Sequence, residues 1–344
     1  MKRIKVALVG FGYWGPNFAR NISSNLNFDL AYIVDMSASR RKLAEESFQA
    51  MVVSSHDQIE KQHSIDLVII CTQPSTHLQL VQYFSDITKT ILIMKPCGTS
   101  LQEAISINEI AKKKSLSIYC DLTYIFSPLI EYIRNDSKCS AIISEMTEYT
   151  SYRTSLGIVQ ADVDVLADLA VHDLSILLAL KNKPPISVNC LRTDNTNSIQ
   201  IRSAFLTLTW DDGFRASIHV GWNSPKKVRQ VTIMGNGRAI LIEELNQEIP
   251  LQIINFKRTK KDYGSLTDSE KTTQNVSYYL GESEIPVINR YESLAMEISC
   301  MAQVIQGKKP FISPPTSENT VTIWKILESL QNSVIKKGAT QNVL

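Results

Sequence analysis

The chain has 344 residues, 44% hydrophobic and 20% charged, with a mean hydropathy of −0.07; this globular composition exceeds what one core organises and predicts two domains. Its 36 Lys and Arg nearly balance 34 Asp and Glu, and no basic cluster is interleaved with aromatics, so a nucleic-acid partner is not expected. No run nears the roughly 18 apolar residues that span a bilayer, and the six cysteines lack C-x-x-C spacing, which predicts buried free thiols in a cytoplasmic protein.

The opening MKRIKVALVGFG passes from a short apolar run straight into a glycine-rich turn, so it reads as a first β-strand, Lys5–Val9, rather than a secretory leader. Further continuous apolar runs follow at Leu30–Val34, Leu67–Cys71, Thr90–Met94 and Leu116–Cys120. Between them Pro16–Asn25, Ser39–Phe48, His77–Phe84 and Leu101–Lys113 have the length and spacing of crossover helices. Continuous rather than alternating strands imply a parallel sheet covered on both faces, a doubly wound α/β (Rossmann) domain over residues 1–120.

From about residue 121 the rhythm changes. After a helix near Ser127–Asn135, the segments Ile199–Trp210, Gly213–Trp222 and Val228–Met234 are rich in β-branched and aromatic residues. Asp212-Gly213 and Asn236-Gly237 are two-residue hairpin signals, and together these predict an open, largely antiparallel sheet in an α/β domain over 121–344. Near the end, Thr316 or Ser317 caps a helix whose Val321, Trp324, Leu327, Leu330 and Val334 share one face, with Gly338 as its stop.

Gly10-Phe11-Gly12-Tyr13-Trp14-Gly15 fits G-x-G-x-x-G between the first strand and a helix with Pro16 at its start. The glycines allow a tight turn and close approach of backbone to a pyrophosphate at the helix N-terminus. Asp35, twenty residues after Gly15, closes the second strand, where a carboxylate accepts ribose hydroxyls and repels the 2′-phosphate of NADP; NAD is the expected cofactor. Arg40 and Arg41 read as the solvated start of the second helix, with a phosphate clamp as the alternative. Lys95 directly follows the fourth strand, at the ligand crevice of such a sheet, where an ammonium can stabilise a developing alkoxide. Asp168 and His172 stand four apart on a helix, so both face one substrate, with Asp173 about 100° round as an alternative acid. Coupling to Asp168 is expected to favour the charged form of His172. His56, His63 and His219 have no suitable partners, and no spacing suggests a metal site.

The GFGYWGPNFARN opening, Cys71-Thr72-Gln73-Pro74-Ser75-Thr76-His77, Lys95-Pro96 and Asp168-Leu169-Ala170-Val171-His172-Asp173 together resemble the Gfo/Idh/MocA sugar oxidoreductases over nearly the whole chain. The resemblance implies an NAD-dependent oxidoreductase in which Lys95 lies at the nicotinamide end and binds the reacting hydroxyl, His172 is the general acid/base and Asp168 binds the sugar. It also implies that Thr72, Pro74 and His77 form the turn beside the cofactor. Met94 stands where the family has glutamate in E-K-P, and Ser175 where a further acid is common. Trp222-Asn223-Ser224-Pro225-Lys226-Lys227-Val228-Arg229 looks like a segment of nucleotide-sugar members, which implies substrate contacts from Trp222, Lys227 and Arg229. Family members commonly pair through the outer face of the second sheet, so a homo-oligomer is expected. Three other readings stand beside this one: a dehydrogenase of a free or phosphorylated sugar or cyclitol, an NAD-dependent glycoside hydrolase, and a non-catalytic NAD-binding regulator.

Overall fold

A computed structural model describes residues 2–59, 64–157, 159–194, 200–260 and 276–343 of the chain; His63 and Ile199 lie outside the described residues. The first sheet is parallel, in the order β3-β2-β1-β4-β5-β6. Its strands are β1 (Ile4–Val9), β2 (Phe28–Val34), β3 (Met51–Val53), β4 (Leu67–Ile70), β5 (Thr90–Met94) and β6 (Ser117–Asp121). Helices α1 (Gly15–Ser24), α2 (Ala38–Ser47), α3 (His77–Phe84) and α4 (Leu101–Lys114) make the crossovers. Every residue of β4 and β5 is buried, which is why these segments carry unbroken apolar runs. The order reverses beside β1, so the turns after β1 and β4 open one crevice at the carboxyl ends of the strands.

After α5 (Pro128–Asn135) and α6 (Ser137–Ser144), the chain enters β7 (Glu148–Leu156), a strand inside a nine-stranded sheet. A π-turn, Leu166–Ala170, leads into α7 (Val171–Lys181). The other strands are β8 (Ser187–Arg192), β9 (Ser203–Thr209), β10 (Arg215–Gly221), β11 (Asn223–Met234), β12 (Arg238–Glu243), β13 (Leu251–Lys260), β14 (Val276–Glu284) and β15 (Gln341–Asn342). Among the described residues of this sheet only β7 and β10 pair in parallel; the other pairs are antiparallel, and the predicted Asp-Gly and Asn-Gly turns join β9 to β10 and β11 to β12. The inner face meets helices. On the outer face Leu191, Phe205, His219 and Tyr152 stand in one cross-strand row, and Phe205 stacks on His219 at 4.1 Å.

The last two helices, α8 (Ser293–Ile305) and α9 (Ser317–Ile335), return to the first sheet. Leu294, Ile298, Met301 and Ala302 of α8 join the core formed by α1, β1, β2 and Met94, while Thr316 caps α9 by accepting from the Asn319 N–H. The peptide N–H of Cys120 donates to Pro315. All six cysteines are buried free thiols, and no helix among the described residues is long and apolar enough to cross a membrane.

Within that core α8 buries Glu297 completely, facing Asp121 at the end of β6, with which a protonated Glu297 can share a hydrogen bond. Burial, then the charge of Asp121, pushes the Glu297 carboxyl well above the carboxylate range. A raised carboxyl contributes fully below its unfolded value and costs stability as pH climbs through the folded one. Glu297→Gln should therefore gain about 1–3 kcal/mol in urea unfolding at pH 8 and nothing near pH 4; an equal effect at both pH values would contradict a protonated Glu297.

Candidate active site

The glycine turn is built for close approach. Gly10 has φ +97°, and a Cβ there would come within 2.6 Å of the Cys71 carbonyl oxygen; one on Gly15 would meet the Gly10 oxygen at 2.6 Å. Helix α1 starts with Pro16 in its first turn, no acidic residue and no side-chain cap, so its N-terminal N–H groups suit an anion. The Phe11 side chain is core, against Phe48, whereas Tyr13 and Trp14 are 80% and 40% exposed. Asp35 accepts from the N–H of Phe11 at 2.7 Å and of Ser37 at 2.8 Å, which locks its carboxylate at the tip of β2. The Arg40 guanidinium lies 3.8 Å from that carboxylate and over Gly12; Arg41 instead donates to the Asp35 and Met36 carbonyls. This donor set and cradle fit a dinucleotide.

Across the crevice Thr72 and Thr76 share a hydroxyl bond of 2.7 Å, and Pro74 opens the short turn into α3. His77 is wholly buried, each ring nitrogen 3.2 Å from a carbonyl oxygen, that of Pro96 and that of Thr72. Burial pushes its pKa down to about 4, and the neutral imidazole, with a single N–H, donates to one of these two carbonyls and packs beside the other. In the loop after β5 the Trp324 indole N–H of α9 donates to the Cys97 carbonyl at 3.0 Å. Both contacts fall on the two residues that follow Lys95. Met94, in place of an acid, packs into the core opposite Asp121.

The Lys95 ammonium crosses from the first sheet to the π-turn, donating to the Asp168 carbonyl oxygen at 2.7 Å and to Oδ1 of its carboxylate at 2.6 Å. Asp168 Oδ2 accepts from the Trp222 indole N–H at 2.7 Å. Asp164 caps the turn, accepting from the N–H groups of Leu166 and Ala167, and Ser75 reaches over from the first sheet to Asp162. Trp222 is thus almost fully buried, Arg229 is half-buried and donates to the Thr154 and Val228 carbonyls, and Lys227 is exposed. Between Asn223 and Val228 the pairing with β7 slips, so Ser224–Lys227 bulges from the strand.

His172 corrects the expected charge state. Asp168 is engaged by Lys95 and Trp222, and burial, then the cations Lys95, Arg153 and Arg229, push the imidazole well below its ordinary range. Its Nδ1 is buried with no hydrogen-bond partner among the described residues. Asp173 is no alternative acid for the crevice: fully buried, it accepts from Tyr149, Ser151 and Arg153. Two residues escaped the sequence reading. Arg153, 1% exposed, pairs with Asp173 and Glu244 and lies 4.3 Å over the Tyr124 ring, which touches His172 at 4.4 Å. The available sign was an arginine on the inward phase of a strand, Tyr149, Ser151, Arg153, where apolar residues are usual.

Residues 4–121 match the family described as "Oxidoreductase family, NAD-binding Rossmann fold" (GFO_IDH_MocA). The chain is 22% identical over 250 residues to UDP-N-acetylglucosamine 3-dehydrogenase of Acidithiobacillus ferrooxidans, spanning 72% of this chain and 77% of that one. The solved structure of that enzyme superposes with a TM-score of 0.77, 18% identity, and coverage of 98% and 99%. Inositol 2-dehydrogenase of Rhizobium meliloti is 22% identical over 54% of this chain and 57% of its own. An oxidoreductase from Agrobacterium radiobacter, solved with NAD+, L-tartaric acid and magnesium, superposes with a TM-score of 0.77 at 15% identity over 99% of both chains.

Residues 4–121 match an NAD-binding Rossmann family, and the Asp35 carboxylate stands fixed at the tip of β2, where its charge would oppose a 2′-phosphate. Fluorescence titration should show tighter binding of NADH than NADPH, with Asp35→Ser narrowing the gap to within about tenfold, the scale of one charge contact. Preference for NADPH in the wild type would place Arg40 in control.

Proposed function

We propose that this chain, whose residues 4–121 match the NAD-binding Rossmann-fold oxidoreductase family, oxidises or reduces a ring secondary alcohol of a nucleotide-linked hexose or hexuronic acid, at the 3-position. NAD, when bound at the glycine turn, supplies the hydride acceptor or donor. The observation that carries the reading is the state of Lys95: two of its three N–H bonds are spent on Asp168, which leaves one for a substrate oxygen. In oxidation that N–H stabilises the negative charge growing on the hydroxyl oxygen, and His172 takes the proton as a neutral base. Asp168 balances the ammonium charge and contacts the sugar through the edge it presents to the crevice.

Supporting a nucleotide-linked substrate are the bulge Ser224–Lys227 with two exposed lysines, Arg229 beside it, and the named activity of the Acidithiobacillus relative. Lys227 and Arg229 would meet a diphosphate, and Trp222 would border the sugar. The reading extends to a cofactor domain over 1–120 and a substrate domain over 121–344. It also includes a cytoplasmic location and a homo-oligomer paired through the Leu191, Phe205, His219 and Tyr152 row of the open sheet.

Turnover of UDP- and dTDP-sugars, beside inositols, free hexoses and hexose phosphates, tests the assignment by NADH formation or consumption. Activity confined to an unphosphorylated polyol would remove the nucleotide and keep the chemistry. Lys95→Met should retain NADH binding and thermal stability while kcat falls at least about a hundredfold; near-normal turnover would take Lys95 out of the reaction.

The His172 environment also sets a pH profile. Because the folded imidazole titrates well below its usual value near ~6.5, the base form persists through neutrality, and oxidation should stay level from pH 8 past pH 6 before declining. A rate that climbs through an ionisation near 6.5, absent in His172→Asn, would show that the cations around the ring do not hold it neutral.

A further inference from the structure

We propose that Trp222 is a positioning residue that acts through Asp168 to aim the one remaining N–H of Lys95, rather than a platform for the sugar ring. This rests on the reading of Lys95 as the group that meets the substrate oxygen.

Only three rigid contacts are needed to fix the ammonium. Lys95 Nζ donates to the Asp168 carbonyl at 2.7 Å and to Asp168 Oδ1 at 2.6 Å, so the direction of its third N–H is set wherever those two acceptors are set. The carbonyl belongs to the backbone of a turn held by the Asp164 cap and by the Asp168 N–H bond to the Asp164 carbonyl. The carboxylate is different. Its terminal torsion is broad and two-fold, so nothing in the Asp168 side chain itself keeps Oδ1 toward Lys95. The Trp222 indole N–H, 2.7 Å from Oδ2, removes that freedom.

Trp222 is itself held as a fixed donor. Its peptide N–H donates to Arg202 at 3.0 Å, its carbonyl accepts from Gly157 at 3.0 Å, and a Cβ on Gly157 would sit 3.3 Å from the indole Cδ1. With 4% of its surface exposed, the indole offers little face for a ring to lie on, while its one polar atom is fully used. Indole has a single N–H and no acceptor, so the bond to Oδ2 has one possible polarity. A short bond to a charged acceptor in a buried setting is of the strong kind.

The test uses the full-length protein in two measurements. In proton–nitrogen spectra the chain should give one indole signal for each of its four tryptophans, and Trp222→Phe identifies the signal of interest by its loss. That signal should move upfield in Asp168→Asn, as a bond to a carboxylate is replaced by one to an amide; a signal that stays in place overturns the proposal. In turnover, Trp222→Phe and Trp222→Leu should both lose about tenfold or more in kcat, with KM for the sugar and Kd for NADH within about twofold. Normal kcat in Trp222→Phe with a raised KM in Trp222→Leu would make Trp222 a platform and overturn the positioning role. Absence of turnover on every sugar would remove the functional reading instead, and the spectral shift would still decide whether indole and carboxylate are tied.

Discussion

One carboxylate ties the loop after β5 to the π-turn before α7 and to the end of β10. Asp168 takes an ammonium from the loop after β5 on one oxygen and an indole N–H from the end of β10 on the other, with Lys95 and Asp168 side chains only 15% and 14% exposed. A pair so placed gains little net stability, since desolvation consumes much of the Coulomb attraction. What it fixes is geometry: breaking either half would leave a buried charge without its counterpart. The supporting parts are arranged to keep the two ends in register. His77 and Trp324 brace the lysine loop, Asp164 caps the turn below Asp168, and Ser75 bonds to Asp162 across the crevice.

Around this bridge the electrostatics favour negative charge. Lys95, Arg153 and Arg229 all act on His172, while the acids near them are committed elsewhere, Asp173 and Glu244 to Arg153 and Asp168 to Lys95. An oxyanion forming at such a place is stabilised by fixed charges that need no reorganisation, and an imidazole there remains a base. Arg153, buried with Asp173, lies over the Tyr124 ring, and Tyr124 in turn packs on His172, so a buried ion pair bears on the field at the imidazole.

The first sheet was legible almost strand by strand because burial on both faces leaves unbroken apolar runs; only β3, three residues with one side exposed, gave too little pattern. The Gly10–Gly15 turn, Asp35 and Lys95 were legible for the same reason, since each is fixed by its place at a strand end. The second sheet was harder. Its hairpin turns carried clear signals, but α8 hides an acid, Glu297, on its buried face, and β11 is interrupted by a bulge that pattern alone does not locate. The charge state of His172 was misjudged because sequence spacing shows neighbours along a helix, not the three cations that arrive from β5, β7 and β11. Trp222 was read as a substrate contact, while its hydrogen-bond partner, 54 residues away, left no sign in the sequence.

The return of α8 and α9 to the first sheet bears on the order in which the protein can be made. The core shared by α1, β1 and β2 is closed by Leu294, Ile298 and Met301, and the loop that holds Lys95 is braced by Trp324, more than two hundred residues downstream. During synthesis the nucleotide-binding half therefore waits, with one apolar face uncovered, until residues 293–335 have left the ribosome and closed a very long loop. The glycine turn can form early, from local contacts; the lysine beside it cannot be locked until late. A nascent chain should thus acquire its dinucleotide cradle before its reacting centre, and until then it offers chaperones an uncovered strip along α1.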